Sequence, residues 1–155
     1  LLVAQGNPKE LRSYEDIAGN PEVKIAIMSG TVNLGYARKA GIKDSQILQV
    51  PDTTSQLQAV RGGRADAAIG TQLTMKGLAD KAGDDVEAIA DFKDDPARAG
   101  YGALAFRPQD KALRDAVNAE LKQWLGSEEH LKTIEPFGFD RSNITDKTAA
   151  ELCGA

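Results

Sequence analysis

Two segments of this 155-residue chain share one pattern, and that pattern limits the folds open to it. Lys24-Ile25-Ala26-Ile27-Met28 is a short apolar run whose unbroken hydrophobicity suits a strand buried on both faces. Ser29-Gly30-Thr31-Val32-Asn33 then turns the chain into a helical pattern. Downstream, Gly62-Gly63 stops a helix, Arg64-Ala65-Asp66 forms a polar turn, and Ala67-Ala68-Ile69 makes a second buried strand, which leaves through Gly70-Thr71. Buried strands joined through helices imply parallel βαβ units.

The remaining segments extend that alternation. Leu1 to Ala4 reads as a strand and Asn7-Pro8 as a turn. Ser13, with Asp16 three residues on, reads as the cap of a short helix that stops at Gly19. Thr31 is expected to cap a helix carrying Leu34, Ala37 and Arg38, ended by Gly41. Ile47 to Val50 is a strand, and Asp52 or Thr53 starts a helix with Leu57 and Val60 on its inner face. A helix follows from Gln72 to Ala82, with Leu73, Met75 and Leu78 apolar. Val86 to Ala90 and Tyr101 to Phe106 read as strands, separated by a polar, charged loop from Asp91 to Gly100. The expected fold class is α/β, a mostly parallel sheet flanked by helices.

After Arg107-Pro108 the pattern becomes helical. Leu113, Ala116, Val117, Leu121, Trp124 and Leu125 make an apolar stripe that reads as packing surface. Ser127 to Ile134 makes another helix, and a last helical turn is expected from Asp146 to Leu152.

Composition narrows the function classes. A net charge of -4 argues against a nucleic-acid partner, and no apolar run is long enough to span a bilayer. Cys153 and His130 are the sole residues of their kinds, so the chain by itself holds no zinc knuckle, histidine triad or multi-histidine metal centre. Cys153 reads either as an inert tail thiol or as half of a disulfide whose partner lies elsewhere. His130, within Glu128-Glu129-His130-Leu131-Lys132, reads as a solvated surface residue. Asp66 beside Arg64 reads as a turn or ion-pair residue, and Asp84-Asp85 and Asp94-Asp95 as solvated loop charges. No cofactor is expected, because the chain lacks a Walker lysine and a full glycine-rich dinucleotide fingerprint.

Open α/β sheets bind ligands at the carboxyl ends of their strands. The turn at Gly30, Thr31, Val32 and Asn33 places backbone N–H groups at a helix start, where unpaired donors and the helix dipole favour a carboxylate or phosphate. The Thr31 hydroxyl would add a hydrogen bond. Thr71, at the end of the other buried strand, is expected to face the same cleft.

In order and spacing, these motifs resemble the second lobe of type 2 periplasmic solute-binding proteins, the polar amino acid family that serves ABC importers. The matching pieces are Asn7-Pro8 with Leu11 and Asp16-Ile17-Ala18-Gly19; Ile27 to Tyr36; Gln56-Leu57 through Gly63-Arg64-Ala65-Asp66-Ala67; Gly100-Tyr101-Gly102; and Leu121 through Gly126. The local sequence is most similar to the ectoine and hydroxyectoine binding branch, through Gly30-Thr31-Val32 with Gly35-Tyr36-Ala37, Ile69-Gly70-Thr71 with Leu73-Thr74, and the tail from Phe137 to Cys153.

The resemblance implies a binding module of an importer and not an enzyme. Residues 1–107 would be the second lobe with both hinge strands, Leu1–Ala4 entering and Gly102–Phe106 returning. Residues 108–155 would be helices that pack on a first lobe lying outside this sequence, so the start at Leu1 is expected to be a cut end. The stripe around Trp124 would then be exposed or covered by another chain, for which a segment-exchanged dimer is one arrangement. The resemblance also implies a periplasmic or extracellular location, a membrane permease as partner, and tethering through a preceding N-terminus as one mode of attachment. It assigns a ligand carboxylate to Thr31, Val32 N–H and Asn33. Amino acid binders of the family place an aspartate where this chain has Thr71, and a neutral hydroxyl gives a primary ammonium no charged partner. The implied ligand is therefore a zwitterion with a delocalised cation, such as ectoine or hydroxyectoine. Polar amino acid binding, a cyclohexadienyl dehydratase-like enzyme and a regulator's effector domain are the competing readings.

Overall fold

The computed structural model describes residues 1–95, 98 and 100–153, apart from the side chains of Ala150 and Cys153. Two compact units divide the chain, Leu1–Gly100 and Tyr101–Ala155.

The first unit is a five-stranded sheet in the order β3-β2-β4-β1-β5. The strands are β1 (Leu2–Ala4), β2 (Ile25–Met28), β3 (Ile47–Val50), β4 (Ala67–Ile69) and β5 (Val86–Ala88). β2 pairs in parallel with β3 and β4, whereas β1 lies antiparallel between β4 and β5. The sheet is therefore mostly parallel, as expected, and mixed only through β1, which runs against the other four strands. The first strand enters from outside the βαβ succession, and no crossover helix sets its direction.

Helices α1 (Tyr14–Gly19), α2 (Asn33–Lys39), α3 (Thr53–Arg61) and α4 (Gln72–Ala82) cover both faces. Alternation along the strands sorts the core. Val3, Ile25, Ile27, Ala67 and Ile69 pack with Tyr14 and Ile17 of α1 and Ala37 of α2. Leu2, Ala26 and Ala68 pack on the other face with Ala59 and Val60 of α3 and Met75 of α4.

Local chemistry sets the helix ends. Ser13 Oγ accepts from Asp16 N–H at 3.0 Å, and Asp52 Oδ1 from Ser55 N–H at 2.7 Å, as caps. Two helices end in the same glycine motif. Gly41 (φ 91°) places Ile42 N–H on the Ala37 carbonyl, and Gly63 (φ 65°) places Arg64 N–H on the Ala59 carbonyl. These six-to-one bonds satisfy carbonyls that the helix leaves orphaned, and the left-handed residue between them favours glycine.

Asp66 is structural, as a turn residue should be. One carboxylate oxygen accepts from Lys24 N–H at 2.8 Å, which ties the β4 turn to the start of β2. Its ion-pair partner is Lys9, at 2.9 Å, instead of the neighbouring Arg64. Asp85 pairs with Arg61, and Asp94 with Arg98. Within the Asp91–Gly100 loop, Pro96, Ala97 and Ala99 lie outside the described residues.

The second unit carries α5 (Lys111–Trp124), α6 (Glu128–Ile134) and α7 (Ala149–Cys153). The strand expected over Tyr101–Phe106 does not form. A ladder needs a partner strand, and the regular elements of this unit among the described residues are helical. The α5 stripe has no buried member, and Leu113 and Leu125 are 58% and 50% exposed.

His130 is a correction to the surface reading, because it is buried. Gly126 (φ 81°) turns the corner between α5 and α6, and its N–H donates to His130 Nδ1 at 3.0 Å. The imidazole lies 4.4 Å from the Trp124 ring, centroid to centroid. Folding the corner back brings these two rings together and removes the histidine from water.

Candidate functional site

The carboxyl ends of three parallel strands share one edge of the first unit. Ile27 of β2 is in register with Ile69 of β4, and Met28 with Val50 of β3. The chain leaves β2 through α2 on one face, toward β3. It leaves β4 through α4 on the opposite face, toward β5. The two exits diverge in direction and in face, which makes the ends of β2 and β4 the place where open α/β sheets form a ligand crevice. This is the topological switch point of the sheet.

Gly30, Thr31, Val32 and Asn33 form one lip of that crevice. Gly30 turns with φ 78°. Val32, not Thr31, is the first residue of the helical turn; it has α-helical dihedrals and no side-chain cap. This corrects the expected Thr31 cap. The Thr31 hydroxyl instead donates backward to the Met28 carbonyl at 2.8 Å, where the strand's last carbonyl has no ladder partner to satisfy it. The first amide of α2 with a backbone acceptor is Tyr36 N–H, on the Val32 carbonyl at 3.1 Å. The amides of Val32, Asn33, Leu34 and Gly35 have no protein acceptor among the described residues. Free amides at a helix start are the kind of donors that an anion's oxygens accept from.

Thr71 forms the other lip. Its hydroxyl accepts from Thr74 N–H at 3.3 Å and lies 2.8 Å from Thr74 Oγ1, so it caps α4. The lip is neutral and hydroxylic. Beside it, a Cβ at Gly70 would sit 2.6 Å from the Met75 Cε, the movable end of that side chain. None of the lip residues titrates in the range that proton-transfer catalysis requires. Among the described residues, no cluster of three or more His, Cys, Asp or Glu could hold a metal.

Two side chains that the sequence reading did not single out as site residues support the crevice. Gln56 is buried on α3, and its Nε2 donates to the carbonyls of Ala26 at 3.1 Å and Ile69 at 2.8 Å. It ties α3 to both β2 and β4 across their paired seam. The available signal was a polar residue in phase with Ala59 and Val60 on the inner face of a helix. Tyr14 is buried on α1, and its hydroxyl donates to Asn33 Oδ1 at 3.3 Å. Its ring meets Phe92 edge-on, with centroids 5.7 Å apart, and the Arg98 guanidinium lies 5.1 Å from its centroid. Arg98 in turn pairs with Glu15 at 3.1 Å and Asp94 at 3.0 Å. Burial, with the Asp94 charge adding to it, pushes the Tyr14 phenol well above its ordinary range, so the hydroxyl stays protonated and serves as a donor.

A mixed sheet flanked by helices is the architecture of the type 2 periplasmic binding proteins, and the chain has that fold. Its relatives in sequence and structure are periplasmic amino-acid-binding proteins. A probable amino-acid ABC transporter periplasmic-binding protein of Sinorhizobium fredii is 32% identical over 160 residues, which cover 99% of this chain and 52% of that protein. The crystal structure of EhuB in complex with hydroxyectoine is 36% identical with a TM-score of 0.78, over 99% of this chain and 60% of that one. An ancestral amino acid-binding protein, AncCDT-1, described as a precursor of cyclohexadienyl dehydratase, is 26% identical with a TM-score of 0.62, over 88% of this chain and 54% of that one. The chain thus spans about half the length of its curated relative. No protein-family model matches it. No helix among the described residues is long and apolar enough to cross a membrane.

Proposed function

We propose that this chain is the ligand-binding lobe of the substrate-binding component of an ABC importer, and that it takes a small zwitterion through its carboxylate. The observation that carries the reading is the set of unpartnered amides from Val32 to Gly35 at the switch point. These donors, with Asn33 beside them, receive the carboxylate. Thr31 holds the turn through Met28, and Gly30 lets it form. Thr71 faces the cationic end and offers it a hydroxyl without a charge. A delocalised cation tolerates that partner better than a primary ammonium does. The preferred ligand is therefore a cyclic zwitterion of the ectoine and hydroxyectoine kind, in keeping with the hydroxyectoine complex of EhuB.

On this reading the protein works in the periplasm or outside the cell and delivers its ligand to a membrane permease. The exposed face of α5 is a surface that the rest of a larger protein or a second copy of the chain covers, and sedimentation analysis separates those two cases. A polar amino acid is the alternative ligand, favoured by the amino-acid transport name of the Sinorhizobium fredii relative. Titration calorimetry on the full-length protein decides between them. Tighter binding of hydroxyectoine or ectoine than of glutamine or arginine supports the proposal, and the reverse order overturns the ligand assignment.

A further inference from the structure

We infer that Tyr14 is a positioning residue for the binding turn: its phenol holds Asn33 by the side-chain oxygen and leaves the carboxamide N–H groups as donors to an anionic ligand. The inference rests on the functional reading above and adds to it a group buried behind the crevice.

The argument is one of donors and acceptors. A carboxamide has one accepting and one donating end, and an anion in the crevice can use only the donating end. The Tyr14 hydroxyl, protonated and buried, is a donor that must find an acceptor. Asn33 Oδ1 supplies it at 3.3 Å, and Asn33 Nδ2 has no protein partner among the described residues. The phenol thus sets which way round the carboxamide sits. Nothing in the turn itself would set it, because Asn33 is the first residue of α2 and its side chain is not used as a cap.

Tyr14 is itself held from the far side. Phe92 packs edge-on against its ring, and Arg98 lies over the ring while paired with Glu15 and Asp94. The segment after β5 is also fastened along the start of α1, where Lys93 N–H donates to the Arg12 carbonyl at 2.7 Å and Arg12 pairs with Asp91. The orientation of Asn33 therefore depends on the segment that leads from the sheet toward the second unit.

Two substitutions test this. Tyr14→Phe keeps the ring and its packing and removes only the hydroxyl. In the full-length protein it should weaken hydroxyectoine binding about fivefold, the scale of one net hydrogen bond, with the melting temperature lowered by only about 2–5 °C. Asn33→Asp keeps an acceptor for Tyr14 but replaces the donating end by a carboxylate oxygen, and it should weaken binding more than about tenfold. Equal affinity for wild type and Tyr14→Phe overturns the inference, as does tolerance of Asn33→Asp. A ligand-free readout separates this from the functional reading. The Asn33 side-chain amide resonances of the 155-residue chain should move on Tyr14→Phe. If the wild type binds no zwitterion, the functional reading falls. If the Asn33 resonances stay in place, the positioning role falls, whatever the ligand.

Discussion

The Gln56 side-chain amide donates to the Ile69 carbonyl at 2.8 Å, at the point where β4 ends. The same amide donates to Ala26 of β2 at 3.1 Å. Both carbonyls lie within the parallel β2–β4 ladder, whose register runs through Ala26–Ala68 and Ile27–Ile69. Gln56 adds a side-chain donor to each and ties α3 to the seam between the two strands. Gln56→Leu keeps the volume and removes two buried side-chain hydrogen bonds, at a cost of roughly 1–3 kcal/mol. Urea unfolding should show a lower midpoint with an unchanged slope.

Thr31 separates turn stability from ligand contact. Its hydroxyl proton is committed to the Met28 carbonyl, so the anion is left to the backbone amides. Thr31→Val should cost about 1 kcal/mol of stability and change ligand affinity in the full-length protein less than about twofold. Paired thermal melts and calorimetry check this; a large affinity loss without destabilisation would show that the hydroxyl turns to the ligand on binding.

Thr71 sets the charge of the second lip. Aspartate is as good a helix cap as threonine, so Thr71→Asp should retain the Thr74 contact and the fold. On the proposed reading, it adds a carboxylate beside the cationic end of the ligand. Affinity should move toward ligands with a primary ammonium, such as arginine or glutamine, and competition calorimetry against hydroxyectoine measures the shift.

The caps of α1 and α3 make stability depend on acid. The Arg12 and Ser13 amides hold the Asp16 carboxyl below its ordinary range, and the Ser55 amide does the same for Asp52. A carboxylate depressed in the folded state contributes stability above its unfolded pKa of about 3.9 and loses it as pH falls through the lower folded value. The first unit should therefore soften below about pH 4. Asp52→Asn keeps a capping oxygen and removes the titration, so its melting temperature should fall less steeply than wild type between about pH 5 and about pH 2.

Much of the candidate site was legible in the sequence because it is built from local bonds. A strand of unbroken apolar residues, a glycine turn and a helix start put Gly30 to Asn33 at a strand's carboxyl end, and the same logic put Thr71 beside them. What was not legible was the partner of each polar group. Thr31 bonds back to Met28 instead of capping α2, and the choice is set by the backbone path of the whole turn and not by residue type. His130 looked solvated because its neighbours in sequence are charged. Its burial comes from Trp124, six positions away, once the corner closes.

The chain's own sequence determined where elements start and stop. Ser13 and Asp52 bond to amides three residues ahead, and Gly41 and Gly63 provide the left-handed turns that helix ends require. Those interactions act over one turn of backbone, so nearby residue types suffice to specify them. Tertiary structure alone decided that β1 runs antiparallel through the sheet, that Gln56 bridges strands 30 and 13 positions away, and that Tyr14 meets Asn33 across 19 residues. Each of those contacts depends on two distant segments arriving in register, and only the packed sheet fixes that geometry.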